Sequence, residues 1–339
     1  MTDNIRGLGL RTAAGLALLW LPLVMQSGLP AHAANLRDSV SLTLVAYSTP
    51  KTAYDHIIPD FQKTKAGKGI TFSTSYGASG DQSRSVAQGL GADVVEFSLE
   101  PDITRLVTAG LVDKSWNKNK YHGFVTDSIV TFVVRPGNPK HIHTWNDLLK
   151  KGVSVITPNP FQSGSAQWNL MAAYGAQLEQ GKKPSQAVAY LKALFHHIAV
   201  QDSSGRNATN TWAGGKGDVL LSYENEALGS LEAGVKLAYI IPPQSILIEN
   251  PVAVIKSSSH QTQAKAFVKF LYTDTGQDDF LLRGYRPVVQ KDRKKYSWEK
   301  PKKLFKIGYL GGWTKVEKKF FDPQSGLVAQ IERDNGVSP

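Results

Sequence analysis

Four times in this chain a β-rich run gives way, through a few small polar residues, to a helical pattern. This repeated plan constrains the fold more than any other feature of the sequence. The junctions are Tyr47-Ser48-Thr49, Gly77-Ala78-Ser79-Gly80, Gln162-Ser163-Gly164-Ser165 and Ser203-Ser204-Gly205-Arg206. Strands alternating with helices argue for a parallel, doubly wound sheet of the α/β class, and such sheets take ligands at the carboxyl ends of their strands. A helix start presents N–H groups without intrahelical partners and the positive end of the helix dipole. Small residues let an anion approach those groups, and serine adds a hydroxyl donor. Taken alone, the Ser163 loop reads first as an ordinary N-cap, with Ser163 or Ser165 satisfying its own helix. Recurrence across four loops is what points to an anion. Arg206 is the one cation in them, and Asp81 is the carboxylate at the edge of the second. Asp81 reads first as favouring its own helix N-terminus, with ligand contact the alternative.

The first three strands are expected over 41–47, 70–76 and 92–97. The helix over 51–63 carries Tyr54, Ile57, Ile58 and Phe61 at helical spacing. Two long β-rich runs, 128–135 and 246–255, bracket a self-contained α/β block. A chain of 339 residues suits two domains. The organisation expected is therefore domain one from 34–127 plus 252–339, domain two from 128–251, and two crossover strands about which a cleft closes.

Residues 1–33 stand apart. Arg6 and Arg11 precede an apolar run over 13–25 that is too short to span a bilayer. Ala31-His32-Ala33 then offers a small-residue cleavage site, so a cleaved secretory signal is expected, with Ala34 the first mature residue. The alternative, a retained anchor, lacks a longer apolar run. The chain has no cysteine, so its fold rests on its core alone, and no lipid-modified cysteine can tether it. A soluble periplasmic protein is the simplest expectation. The formal net charge of +11 falls to +10 without residues 1–33. The densest basic runs, 291–306 and 315–319, lack an aromatic stacking pattern and read as solvated faces rather than a nucleic-acid surface.

Several segments carry a resemblance. They include Gly77-Ala78-Ser79-Gly80, Ile156-Thr157-Pro158-Asn159-Pro160 with Ser163-Gly164, and Gly217-Asp218-Val219-Leu220 with Glu224-Asn225-Glu226-Ala227. Others are Trp145-Asn146-Asp147-Leu148, Thr209-Asn210-Thr211, Tyr285-Arg286-Pro287 and Gly311-Gly312-Trp313. Together, in order and over essentially the whole mature chain, they resemble the periplasmic sulfate-binding proteins of bacterial ABC importers. The resemblance implies a two-domain type II periplasmic-binding-protein fold that buries a desolvated sulfate in the interdomain cleft with no cationic side chain touching it.

By position, the resemblance implies that Ser48 donates its backbone N–H, where the family commonly has aspartate, and that Ser79 donates from its loop. Ser163 gives its hydroxyl, and Gly164, Ser165 and Gly205 give backbone N–H groups. Ser165 replaces a usual glycine and Gly205 an alanine, changes that backbone donors survive. Tyr223 falls where familiar members place a ligand-contacting tryptophan, which leaves sulfate against thiosulfate open. Arg206 matches a family arginine and is expected to support its loop. The implied partners are sulfate or thiosulfate and the membrane permease subunits of an ABC transporter. A monomer is expected, and no metal, cofactor or nucleic acid is implied.

Competing readings are weaker. Gly77-Ala78-Ser79-Gly80-Asp81 is not G-x-S-x-G, and no histidine pairs with Ser79, Ser163 or Ser165 in a recognisable pattern, so hydrolysis lacks a base. Binding of molybdate, tungstate or phosphate would need a roomier pocket or an acceptor for the ligand's proton. An adhesin using the basic face would have no use for four matched anion loops.

Overall fold

The structure, a computed structural model, describes residues 40–337 apart from 295. The expected signal segment, 1–33, lies outside the described residues.

The first strand group comprises β1 (Ser41–Tyr47), α1 (Lys51–Lys63), β2 (Thr71–Gly77), α2 (Ser79–Ala87), β3 (Val94–Glu96) and α3 (Glu100–Thr108). β1 lies in the middle, parallel to both β2 and β3. Strand side chains alternate between faces. Leu42, Leu44 and Ala46 accordingly pack with Tyr54, Ile57 and Phe61 of α1, while Val45 packs with Val86, Phe97 and Ile103 on the other side.

β4 (Phe124–Val134) carries the chain away, followed by a 3₁₀ turn at Trp145–Leu149. The second group is β5 (Val155–Pro158), α4 (Gly164–Glu179), α5 (Pro184–Phe195), β6 (Ile198–Asp202), α6 (Gly205–Ala213), β7 (Val219–Tyr223) and α7 (Glu224–Glu232). Here β5 is central and parallel to β6 and β7. β8 (Ala238–Ile240) lies antiparallel on β4, and β9 (Gln244–Val254) brings the chain back.

The strand path is β2-β1-β3-β9-β4-β7-β5-β6. The expected parallel sheet is present within each group, but the middle of the path is antiparallel, because β4 leaves and β9 returns along the same line. β4 pairs with β9 through Ile129 and with β7 from Val130 onward. β9 pairs with β4 through Pro251 and with β3 from Val252. From Val125 onward β4 is buried at every position, which is why its second half, 129–134, reads as a nearly continuous apolar run rather than an alternating one.

The stretch 252–339, expected to belong wholly with the first group, is divided. α8 (Gln261–Phe270) and α9 (Asp274–Leu281) pack on α1, with the Tyr54 ring 6.1 Å from Phe267 and 5.8 Å from Phe280. β10 (Arg286–Pro287) then pairs with β4, followed by α10 (Gln290–Arg293), and β11 (Lys303–Phe305) runs parallel to the start of β9. From there the chain packs on α4 of the second group. Trp313, in α11 (Trp313–Val316), stands edge-on to Trp168 at 4.7 Å, and Phe320 meets Tyr174 at 4.8 Å, before α12 (Leu327–Asp334). α4 is apolar on nearly every face, so it needs this second cover. Among the described residues no helix is long and apolar enough to cross a membrane.

Candidate functional site

Each junction picked out by its small polar residues lies at the carboxyl end of a strand and opens a helix. α1 follows Pro50, α2 follows Ala78, α4 follows Ser163 and α7 follows Tyr223, and none of these N-cap residues bonds its helix through its side chain. The ordinary N-cap reading of Ser163 is therefore not what the structure has. Its hydroxyl instead shares a 2.8 Å hydrogen bond with that of Ser165. Among the helices that open at these loops, α6 alone is capped conventionally, where Ser204 Oγ accepts from the Asn207 N–H at 3.2 Å.

The loops of the two groups meet. The Gly80 N–H donates to the Gln162 carbonyl at 3.0 Å, and Arg84 donates to the Phe161 carbonyl at 2.9 Å. Tyr223 and Ser98 share a 2.6 Å hydroxyl–hydroxyl bond, and the Trp168 indole donates to the Ser98 carbonyl at 2.8 Å. Gly164 packs so closely on Ser98 that a Cβ there would sit 2.7 Å from its Oγ. A Cβ on Gly205 would lie 2.9 Å from Ser165 Oγ and 3.5 Å from Thr49 Cγ2. Arg206 donates to the Thr49 carbonyl at 3.2 Å.

Ser79, Ser163, Gly164, Ser165, Gly205 and Tyr223 are all buried at this junction, and Ser48 is half-buried beside buried Thr49. The Ser79 hydroxyl is already committed. It donates to Asp102 Oδ2 at 2.6 Å and accepts from the Ser98 N–H at 2.9 Å. What Ser79 can still offer a guest is its backbone.

The electrostatics favour neutral donors. Each arginine that reaches these loops is paired: Arg206 with Glu226 and Arg105 with Asp102, both at 2.8 Å, and Arg84 with Asp81. Two hydroxyls that share one hydrogen bond hold two protons between them. The Ser163–Ser165 and Ser98–Tyr223 pairs therefore each have one O–H left to donate elsewhere. Burial holds the Tyr223 hydroxyl well above the usual phenol range, so it stays protonated. Asp81, the carboxylate weighed for ligand contact, turns to Arg84 within its own helix and is half exposed. The carboxylate that reaches the site is Asp102, whose two oxygens are taken by Ser79 and Arg105.

Several site residues escaped the sequence pattern. Ser98 follows β3 as the other loop serines follow their strands, and a fifth junction, Phe97-Ser98-Leu99 before α3, would have revealed it. Tyr285 bonds Thr49 Oγ1 at 3.0 Å and lies 238 residues from Tyr47, which donates to it, so no local signal could reveal it.

Glu96, on β3 just before this junction, is fully buried and accepts from the Tyr54 hydroxyl. Burial pushes its pKa up to about 8, against a partial opposing effect of that hydrogen bond. The folded state therefore binds a proton that the unfolded chain releases above its ordinary value. Stability is present in full below about pH 4 and is lost as pH rises toward about 8. Glu96→Gln is expected to remove this slope, so denaturant midpoints at about pH 6 and about pH 9 should lie closer together in the variant than in the wild type. Equal midpoint differences in the two proteins would refute the assignment.

A family model described as bacterial extracellular solute-binding protein matches residues 42–286. A sulfate-binding protein of Synechococcus elongatus is 38% identical over 293 residues, covering 83% of this chain and 84% of that protein. A thiosulfate-binding protein of Pseudomonas aeruginosa is 35% identical over 339 residues, covering 95% and 97%. Among solved structures, the sulfate-binding protein SubI of Mycobacterium tuberculosis superposes with a TM-score of 0.82 at 45% identity, covering 84% of this chain and 100% of that one.

Proposed function

The chain belongs to the bacterial extracellular solute-binding proteins, with their mixed α/β fold, and on that premise we propose that it captures sulfate and delivers it to an ABC importer. The two strand groups act as lobes, 40–127 with 252–302 and 128–251 with the tail from Lys303, and the dianion is held between them. The backbone N–H groups of Ser48, Ser79, Gly164, Ser165 and Gly205 donate, together with the Ser163 and Tyr223 hydroxyls. Arg206 braces the Thr49 loop through its bond to that carbonyl. The observation that carries this reading is the pairing of every nearby arginine with a carboxylate, while hydroxyl pairs keep protons to spare.

Hydrogen bonds to a charged group contribute roughly 1.5–3 kcal/mol each, and helix termini roughly 0.3–2 kcal/mol. Several such donors, less the cost of ordering, support micromolar binding at about −8 kcal/mol. A ligand bearing its own proton needs an acceptor, and both Asp102 oxygens are engaged, so hydrogen phosphate is disfavoured. The role is capture rather than catalysis. The place is the periplasm after signal cleavage, with the closed monomer docking on permease subunits.

Titration calorimetry of the mature protein, stripped of carried-over anion under denaturing conditions, tests the proposal. The expected result is saturable sulfate binding with phosphate and molybdate silent. Thiosulfate is the second reading, favoured by the thiosulfate-binding relative and by Tyr223. Thiosulfate binding more tightly than sulfate would establish it. No saturable binding to any of the four anions would sink the transport reading.

A further inference from the structure

We propose that the chain carries a second binding site, for an aromatic anion, in the cavity where the 286–306 segment runs over the crossover strands β4 and β9. The cavity has a volume of about 560 Å³ and is lined by Asp127 of β4, Leu247 of β9 and residues of that segment. This is within the range of small-ligand sites, about 300–1,000 Å³. It shares no lining residue with the serine–glycine loops of the cleft.

One wall is apolar and aromatic. The Tyr296 and Trp298 rings pack together at 4.7 Å, and Tyr296 and Leu304 are 54% and 41% exposed. Apolar side chains left in view inside a cavity with a charged rim are what an amphipathic guest would cover. The Arg286 guanidinium lies 5.0 Å from the Trp298 ring and fixes that wall from beneath. The Trp298 indole N–H is buried and has no hydrogen-bond partner among the described residues. A buried donor without a partner is rare, and an oxygen acceptor on a guest would satisfy it.

The rim selects the sign of the guest's charge. Arg286, Arg293 and Lys306 are paired with Glu224, Asp127 and Glu249. Lys300 lines the cavity, is exposed and makes no ion pair within 4 Å of a carboxylate among the described residues, its chain neighbour Glu299 included. Lys300, itself a lining residue, therefore brings an unpaired ammonium to the rim of an aromatic-walled cavity. A planar ring carrying a sulfonate, sulfate or carboxylate fits both features. An inorganic anion would waste the aromatic wall, and a neutral aromatic would leave Lys300 unanswered. The basic stretch 291–306, which reads as a solvated face, thereby gains a specific use.

The test is calorimetric titration of the full mature protein with 2-naphthalenesulfonate, with and without saturating sulfate, alongside 2-naphthol. Expected are one-site binding that sulfate does not displace, and 2-naphthol weaker by up to about fivefold, the worth of one exposed ion pair. Lys300→Glu, which replaces an attraction worth up to about fivefold by a comparable repulsion, and Trp298→Ala, which removes a ring contact worth about two- to twelvefold beyond its burial, should each weaken the sulfonate about tenfold, with sulfate affinity unchanged. Lys300 is exposed, so its variant folds even where Trp298→Ala does not. Absence of saturable binding, displacement by sulfate, or affinity untouched by Lys300→Glu would each overturn the proposal. Because sulfate is titrated separately, loss of this site and failure of the sulfate reading are told apart.

Discussion

A Gly164→Val protein is expected to bind sulfate about a hundredfold or more weakly than the wild type while keeping its ligand-free thermal stability. A Cβ at Gly164 would lie 2.7 Å from both Ser98 Oγ and Leu99 Cγ and 2.9 Å from Ser98 Cβ, closer than real carbon contacts come. Something must shift, and Ser98 is not free to do so. Its N–H is held by Ser79 Oγ at 2.9 Å, its carbonyl by Trp168 at 2.8 Å and Asn250 at 3.2 Å, and its hydroxyl by Tyr223 at 2.6 Å. Gly164 and Ser98 stand on opposite strand groups, so the clash is relieved by keeping the proposed lobes apart. An open lobe pair divides the donors and leaves the anion half-coordinated. Gly164 opens α4 as an ordinary helical residue, so substitution does not strain its own helix. Calorimetry for binding and a thermal melt without ligand separate the two effects. Wild-type affinity in the variant would show that the seam need not close for capture.

Arg286→Leu is expected to destabilise the protein by about 3–5 kcal/mol, the range for stripping a buried charge of its partner. Arg286 Nε and Nη2 meet the two oxygens of Glu224 at 2.6 and 2.9 Å, and Nη2 also reaches the Glu299 carbonyl at 2.8 Å. Both side chains are under 10% exposed, at 8% and 2%. Burial raises the Glu224 pKa, and Arg286 is the main force opposing that rise. Without the guanidinium, Glu224 must either stay charged and unpaired or take up a proton. Denaturant unfolding at neutral pH measures the loss. The double variant Arg286→Leu, Glu224→Leu should recover part of it, because no buried charge is then left alone. A single variant within about 1 kcal/mol of the wild type would show the pair to be dispensable.

These two residues also mark how far local sequence reaches. Tyr285-Arg286-Pro287 is among the segments that carry the family resemblance, yet its composition gives no hint of a partner 62 residues away in α7. Local patterns were legible wherever one period dominated. β1 and α1 run over 41–47 and 51–63, where alternation and helical spacing place them. Gly164 and Gly205 enter the sequence reading as donors only through the family resemblance, and nothing in the sequence marks them as the close contacts they are, since proximity between groups is a tertiary fact. The two crossover runs are legible as strands, but a buried run like β4 does not show which strands it pairs with or in which direction, and the structure sets it antiparallel to β9 and β7. α4 hid its partners for the same reason. With nearly every face apolar, it could not announce that the tail from Trp313 onward covers one of them.

That tail has a mechanical consequence. On the two-lobed reading the polypeptide passes between lobes three times, on β4, on β9 and through the segment from β10 to β11, whose ends pair with those same two strands. A joint held by three adjacent links bends readily about their common line and resists torsion and sliding. The lobes then have close to one degree of freedom. Each closing stroke brings Gly80 back to Gln162 and Ser98 back to Tyr223 without a search over orientations. Much of the rotational entropy that independent bodies would lose on meeting around an anion is already surrendered when the chain folds.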